Sequence, residues 1–309
     1  MRAAVIGVGH LGRHHARILA SLPGMTLAGV VDTNRDRANQ VAAEHGTAAF
    51  GDFREITGKV DIAVVSVPTE SHATVTMPLI EAGVHTLVEK PITQTVAEAD
   101  ALIAAAKAAG VVLAVGHSER FNPAVAAARP YVTDPRFIEV HRLGTFPDRS
   151  LDIDVVLDLM IHDLDLILSL VPSEVDGVEA VGVPVLTPKV DIANARIRFA
   201  NGCIANLTAS RISREPVRKI RFFQRDSYVS IDTASREVEM YKLAPQPGAL
   251  PKIGGGKLEV PGDEPLKREL EDFVAAVRDG REPTVTGEQG RSALALAVRI
   301  VDLMKEHGN

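Results

Sequence analysis

The sequence predicts an α/β protein whose first domain is a doubly wound parallel sheet and whose second is an α+β domain with an open, mostly antiparallel sheet. Over the first 120 residues, short apolar runs alternate with helical patterns, which is typical of a parallel sheet covered on both faces. After that point strand-like runs follow one another without intervening helices, as in antiparallel sheets. The 309 residues are enough for two domains, which we place at 1–120 and 121–309.

The first domain has strand candidates at residues 3–6, 26–31, 62–67, 86–88 and 111–115. Helix candidates lie between them at 11–20, 35–45, 73–81 and 96–109. Gly110 follows the alanine-rich fourth helix, where a glycine cap is expected.

The second domain begins with one strongly helical segment at 152–170. Strand candidates follow at 175–183, 191–199, 203–212, 217–223, 228–231 and 237–243, with Asn201-Gly202 as a hairpin turn. We expect an irregular loop at 244–256 and helices at 264–279 and 291–306. An open sheet of this size needs covering, by helices or by another subunit, and we expect a homodimer or homotetramer formed through it.

Composition limits the functional classes. The net charge of −6 argues against nucleic-acid binding, and no apolar run is long enough for membrane insertion. The N-terminus has no signal-peptide pattern, so we expect a cytoplasmic protein. Cys203 is the only cysteine, which excludes an intrachain disulfide and a thiolate metal site; we expect it to be buried in a strand.

A glycine-rich turn between the first strand and helix fits G-x-G-x-x-G, the dinucleotide-binding pattern of Rossmann folds. Gly7 allows the tight turn, Gly9 lets the backbone approach a pyrophosphate, and Gly12 permits close helix–strand packing. His10 and Leu11 complete the motif; we expect His10 to lie near phosphate or to cap the helix.

Asp32 stands 20 residues after Gly12, where a carboxylate accepts hydrogen bonds from ribose hydroxyls and repels a 2′-phosphate. NAD is therefore the expected cofactor, although nearby arginines leave NADP open. Further along, Ser66 lies near the end of the strand candidate at 62–67, and Pro68 and Thr69 follow it. These residues should flank the ribose and nicotinamide. His72 begins the next helix, either as a cofactor contact or as a helix-start residue.

Two segments are candidates for the chemistry. Glu89 and Lys90 directly follow the strand candidate at 86–88, so they should face the cofactor cleft. On the helix at 152–170, a stripe of polar side chains has spacings of four, four, three and four residues. The stripe consists of Asp154, Asp158, His162, Asp165 and Ser169.

The stripe is either a solvated helix face or a site in which His162 is a base and Asp158 orients it. A metal site is a further alternative for these residues, but we do not favour it, because hydride transfer to NAD needs no metal and no H-E-x-x-H pattern occurs. We therefore expect no metal.

The residues together resemble the Gfo/Idh/MocA oxidoreductases. The glycine turn, Glu89-Lys90-Pro91, the segment at 116–123, and the Asp158, His162, Asp165 spacing occur in that family's order across essentially the whole chain. The resemblance implies a Rossmann domain, an α+β domain, a nicotinamide cofactor and sugar or cyclitol substrates. It also implies that Lys90, Asp158 and His162 are the catalytic set.

Within the family the segments at 9–15, 116–122 and 160–165 look most like the UDP-N-acetylglucosamine 3-dehydrogenases. That likeness implies oxidation at C3 of a sugar nucleotide, for transamination toward 3-amino lipid A sugars. His117 and Arg120 are candidates to grip the substrate with Lys90, Asp158 and His162, or else they pair structurally. The alternatives are an enzyme for an inositol, a free sugar or a bilin, and a non-catalytic NAD(H) sensor.

Overall fold

The computed structural model describes residues 1–146, 153–246 and 249–307. The chain divides into two units, Met1–Ser118 with Glu264–Leu294 and Glu119–Asp263 with Ala295–Asn309. The first unit therefore includes Glu264–Leu294, which a single boundary after residue 120 assigns to the second domain. The reason is that a helix in this segment packs its apolar side chains into the core of the first unit.

Parallel strands and their crossover helices form the first part of the first unit, as the alternating pattern predicts. The elements are β1 (Arg2–Ile6), α1 (Gly12–Ser21), β2 (Thr26–Val31), α2 (Arg35–His45), β3 (Ala48–Phe50), β4 (Ile62–Val65), α3 (His72–Glu81), β5 (His85–Glu89), α4 (Val96–Ala109) and β6 (Leu113–Gly116). In the described chain the sheet order is β3-β2-β1-β4-β5-β6, with every pairing parallel. The order reverses between β1 and β4, the point at which such sheets bind ligands beyond their carboxyl ends.

Local sequence explains these elements. All four residues of β4 are buried, as expected for a strand covered on both faces. Thr95 caps α4 in a capping box with Glu98, and Gly110 ends that helix at φ 66°.

The second unit is built on a sheet that is mostly antiparallel, which confirms the predicted class. Its elements are α5 (Pro123–Ala128), β7 (Phe137–Leu143), a π-helical turn (Val156–Met160), α6 (Ile161–Leu170), β8 (Val175–Val183), β9 (Ile192–Phe199), β10 (Ile204–Ser210), β11 (Val217–Phe223), β12 (Ser227–Asp232), β13 (Glu237–Gln246) and β14 (Ala249–Leu258). The described strands follow the order β14-β13-β12-β11-β7-β10-β9-β8, and only β7 and β10 pair in parallel among them.

Two features of this sheet correct the sequence-based prediction. Strand β7, in the middle of the sheet, was not predicted at all. The expected loop at 244–256 is wrong, because β13 and β14 pair across it as a hairpin. A Cβ on Gly255 would lie 2.0 Å from the Met240 carbonyl oxygen, so glycine permits the close pairing, while a side-chain pattern gives no strand signal there.

Other expectations for the second unit hold. Gly202, at φ 83°, turns the chain between β9 and β10. Cys203 is fully buried as expected, although it immediately precedes β10 and is not part of it, and burial raises the pKa of its thiol to about 11. The predicted start of a helix at Asp152 lies outside the described residues.

The chain closes with α7 (Pro265–Asp279) and α8 (Gly287–His307). Leu270, Phe273 and Val274 of α7 join β1 and α1 side chains in the first unit's core. Within the described chain we find no helix with both the length and the apolar character that crossing a membrane requires.

Candidate active site

The glycine turn in the first unit is held by close backbone contacts. Gly7 has φ 82°, and a Cβ on it would lie 2.4 Å from the Ser66 carbonyl oxygen. A Cβ on Gly12 would lie 1.8 Å from the Gly7 carbonyl oxygen. Both positions therefore exclude any larger residue, in keeping with the roles predicted for these two glycines.

The start of α1 is suited to an anion. Leu11 occupies the N-cap without a side-chain hydrogen bond, and the first turn has no acidic residue. A Cβ on Gly9 would meet only Nη1 of Arg37, at 4.0 Å. The helix N-terminus and the bare backbone at Gly9 therefore fit a pyrophosphate group.

Asp32 follows β2 and is only 7% exposed. Its Oδ2 accepts hydrogen bonds from the Val8 amide at 3.0 Å and from Nη1 of Arg37 at 3.2 Å. Oδ1 accepts from the Asn34 amide at 2.8 Å. The carboxylate is thus fixed beside the glycine turn, where a ribose hydroxyl would donate to it.

A cavity beside this carboxylate is lined by the turn and by α2. Its walls include Val8, Gly9, His10, Arg13 and Arg37. Exposed His10 lies near the expected phosphate position, in keeping with one of its two predicted roles. The glycine cradle, the uncapped helix and the Asp32 carboxylate together fit NAD.

The loop after β4 contains the next predicted cofactor residues. The Ser66 amide donates to the Ile6 carbonyl at 2.8 Å, which ties this loop to β1. Pro68 precedes a short 3₁₀ turn that begins at Thr69, and both side chains are at least partly exposed.

His72 is buried between two loops. Nδ1 lies 2.8 Å from the Pro91 carbonyl oxygen and Nε2 lies 3.0 Å from the Val67 carbonyl oxygen. Burial lowers the pKa of His72, and the two carbonyls oppose that shift. The structure places His72 between two loop backbones, where its neutral ring can donate to one of the two carbonyls. This placement favours the helix-start alternative over direct cofactor contact.

Glu89 and Lys90 lie at the end of β5, as predicted. Glu89 is buried; its Oε1 lies 2.8 Å from Nε2 of His15, and its Oε2 accepts from the Lys90 amide at 3.2 Å. Burial alone would raise the pKa of Glu89, but His15 and Lys90 outweigh it and hold that pKa below its ordinary value. Lys90 is half-buried.

His15 and Glu269 are polar residues of this region that sequence reasoning missed. Their side chains and that of Glu89 are buried, and one ligand-type atom of each lies within 4.8 Å of the others. The hydrogen bond of ordinary length between His15 and Glu89 explains their approach.

The helix in the second unit departs from the predicted stripe. Asp158 lies in the π-helical turn and His162 in the first turn of α6; both are half-buried. A π turn widens the helix to i→i+5 bonding, so the predicted 100° step does not hold across it. π turns are frequent at functional sites, which is consistent with a functional role for Asp158 and His162.

The remaining members of the stripe have structural partners. Asp154 accepts from the Val190 amide at 3.0 Å, and Ser169 donates to the Leu166 carbonyl. Asp165 forms a bidentate pair with Arg120 at 2.6 and 3.1 Å, with the two side chains 1% and 5% exposed. The structure therefore shows the structural pairing that was the alternative for Arg120.

A second buried pair beside it was not predicted. Arg142 of β7 donates to both oxygens of Asp163, at 2.7 and 2.8 Å, and to Glu119 at 3.2 Å. Burial lowers the pKa of Arg142, but the two carboxylates outweigh it and raise that pKa above its ordinary value. These ion pairs hold both sides of the helix that carries His162.

The residues proposed for catalysis and for substrate binding belong to different units. Of the catalytic set, Lys90 is in the first unit, whereas Asp158 and His162 are in the second; of the further substrate-binding candidates, His117 is in the first and Arg120 in the second. His117 is fully buried, and its amide donates to the Val115 carbonyl at 2.8 Å.

The fold and the glycine turn define a dinucleotide-binding protein. The chain belongs to the Gfo/Idh/MocA family: residues 1–117 match the model of the oxidoreductase family with an NAD-binding Rossmann fold. Residues 96–225 match the model of that family's C-terminal domain. The predicted family, enzyme class and NAD cofactor are thereby confirmed.

The chain is also similar to individual enzymes of this family. It is 43% identical, over 97% of its length and 96% of the relative, to a UDP-N-acetylglucosamine 3-dehydrogenase of Acidithiobacillus ferrooxidans. A solved structure of the enzyme with that name from the same organism matches with a TM-score of 0.93 at 41% identity, covering 99% and 98% of the two chains. A scyllo-inositol 2-dehydrogenase of Bacillus subtilis is 27% identical over 93% of this chain and 89% of its own.

Proposed function

We propose that this enzyme oxidises the C3 hydroxyl of UDP-N-acetylglucosamine to a ketone with NAD. The observation that carries the proposal is the 43% identity, over nearly the full length of both chains, to an enzyme named for that reaction. The inositol dehydrogenase is more distant, at 27% identity. The 3-keto sugar nucleotide would then serve a transaminase on the way to 3-amino lipid A sugars.

His162 and Lys90 supply the chemistry in this proposal. When bound, NAD supplies the acceptor for the hydride that leaves C3. His162 takes the hydroxyl proton, so the O–H and C–H bonds break as the C=O bond forms. Lys90 stabilises the negative charge that develops on the oxygen, a contribution of about 3–4 kcal/mol for a single well-placed donor. Asp158 either orients His162 or binds a neighbouring hydroxyl.

Arg120 and His117 are proposed as substrate-binding residues. The pair with Asp165 uses Nε and Nη2 of Arg120. Nη1 is therefore the part of the guanidinium that we assign to the diphosphate of the substrate.

We also propose a cytoplasmic homodimer or homotetramer. The second unit's sheet carries large apolar side chains that are 37–68% exposed, including Phe223, Tyr241, Leu243 and Ile253. A second copy covering them would remove this apolar surface from water. Light scattering coupled to size exclusion measures the assembly.

The activity test uses UDP-N-acetylglucosamine, myo-inositol and glucose in parallel, each with NAD and purified enzyme in a single turnover. The proposal predicts NADH absorbance with the sugar nucleotide and thermal stabilisation by UDP alone. NADH formation with inositol or glucose only would identify the alternative enzyme, and none with any substrate would favour the sensor.

Variants test the residue roles. Lys90→Met and His162→Ala should each abolish turnover while NADH binding, followed by fluorescence, stays within about threefold of wild type. Lys267→Met, on the exposed face of α7, is the matched control and should keep full activity. Near-wild-type rates in both site variants would overturn the assignment.

A further inference from the structure

Two buried histidines meet the same turn from opposite ends. His15 of α1 is 0% exposed and His72 of α3 is 1% exposed. His15 contacts Glu89 and His72 contacts Pro91, the two residues that flank Lys90. All of these residues belong to the first unit.

On the first side, contacts run from the imidazole of His15 to the backbone of Lys90. Nε2 of His15 lies 2.8 Å from Oε1 of Glu89, and Oε2 of the same carboxylate accepts from the Lys90 amide at 3.2 Å. The carboxylate plane is therefore fixed at both oxygens. Because Glu89 is 7% exposed, water competes little for either contact.

On the other side, the shorter of the two His72 contacts reaches the turn. Nδ1 lies 2.8 Å from the Pro91 carbonyl oxygen, against 3.0 Å between Nε2 and the Val67 carbonyl oxygen. An N–H at Nδ1 donates to Pro91 in the neutral ring, the form that burial favours. The residue after Lys90 is thus held as firmly as the residue before it.

Packing alone does not explain these two side chains. A buried polar ring costs free energy unless its nitrogens are hydrogen-bonded, whereas an aliphatic side chain would fill the same space without that cost. At each histidine a ring nitrogen is directed at the Lys90 turn. The value of the imidazole is therefore its directed donor.

We propose that His15 and His72 are positioning residues that fix Glu89 and Pro91 and thereby set the place of the Lys90 ammonium group in the reaction. The inference rests on the proposed catalytic role of Lys90. A displacement of a reacting group by about 1 Å can reduce the rate about 100-fold, so a well-held turn has a direct effect on kcat.

The test uses the different nitrogens of the two rings. Glutamine places a donor near the position of a histidine Nε2, and asparagine near that of Nδ1. His15→Gln should therefore keep kcat within about threefold, and His15→Asn should lose about 10- to 100-fold. At His72 the order reverses: asparagine should retain kcat and glutamine should lose it.

Three readouts accompany kcat for every variant: NADH affinity by fluorescence, KM for the sugar nucleotide, and the melting temperature. We expect NADH affinity to change by no more than about threefold, because the glycine turn is untouched. His45→Gln and His45→Asn, in the last turn of α2, are the matched controls and should behave like wild type.

The decisive result is that glutamine retains kcat better than asparagine at His15, whereas asparagine retains it better than glutamine at His72. The same order at both histidines, or kcat unchanged in all four variants while Lys90→Met is inactive, overturns the positioning role alone. Full activity in Lys90→Met instead overturns the proposed catalytic role. If a histidine variant fails to fold, Glu89→Gln and Glu89→Leu replace it. Glutamine keeps one acceptor oxygen for the Lys90 amide and can donate to Nε2 of His15 in the neutral ring, so it must retain kcat, whereas leucine must lose it.

Discussion

Alanine at Gly9 separates folding from cofactor binding. A Cβ at this position would have its nearest neighbour at 4.0 Å, Nη1 of Arg37, which is ordinary van der Waals contact. We therefore expect Gly9→Ala to fold with an unchanged melting temperature. The added methyl would, however, stand where the backbone approaches the pyrophosphate.

The expected increase in the Kd of NADH follows from the hydrogen bonds to the pyrophosphate that the added methyl group would prevent. A hydrogen bond to a charged group is worth about 1.5–3 kcal/mol, so the loss of one raises the Kd of NADH about 10- to 100-fold. Fluorescence titration of NADH measures this, with Gly262→Ala as a control because nothing lies within 4 Å of a Cβ there. NADH affinity equal to wild type in Gly9→Ala would refute the placement of the cofactor on this turn.

Three further perturbations have expected outcomes. Asp32→Ser removes the charge that repels a 2′-phosphate, so the ratio of kcat/KM for NADP to that for NAD should rise about tenfold or more; an unchanged ratio would contradict the role of Asp32. Burial lowers the pKa of His72, so the unfolded chain binds more protons and wild-type stability should be full above the ordinary value of 6.5 and fall below it. Urea unfolding should then give a smaller difference in the free energy of unfolding between wild type and His72→Asn at about pH 5.5 than at about pH 7.5. The same difference at both pH values would contradict a lowered pKa of His72. Arg142→Met leaves Asp163 and Glu119 buried without their cation, so urea unfolding should show a loss of about 3–5 kcal/mol; a loss under about 1 kcal/mol would mean that the pair contributes little.

The fold of the first unit could be predicted from the sequence because its apolar runs and its helix caps indicate the same elements. Residues 62–65 are apolar throughout and form a fully buried strand. Thr95 and Glu98 have the spacing of a capping box and mark the start of the helix that they cap. The second unit was harder. Strand β7 alternates buried and less buried residues, but Arg142 occupies one inward position. A buried arginine, which pairs with Asp163 and Glu119, interrupts the apolar alternation that signals a strand.

The candidate site shows the same limit. The motif at Gly7 to Gly12 and the lysine after β5 have local sequence signals, so the sequence alone identifies them as candidates. The polar stripe assumed a regular α-helix, whereas a π turn at Val156–Met160 changes the angular step before His162. His15 and Glu269 are single polar residues within helices, and only the folded chain reveals that they meet Glu89.

The central claim is NAD-dependent oxidation at C3 of UDP-N-acetylglucosamine, and mass analysis of the product tests it most directly. Equimolar enzyme, NAD and UDP-N-acetylglucosamine should give a sugar nucleotide lighter by two hydrogens together with an equal amount of NADH. The C3 position follows if substrate carrying deuterium at C3 transfers that deuterium to the nicotinamide. An unchanged sugar nucleotide, or deuterium retained in the product, would contradict the account.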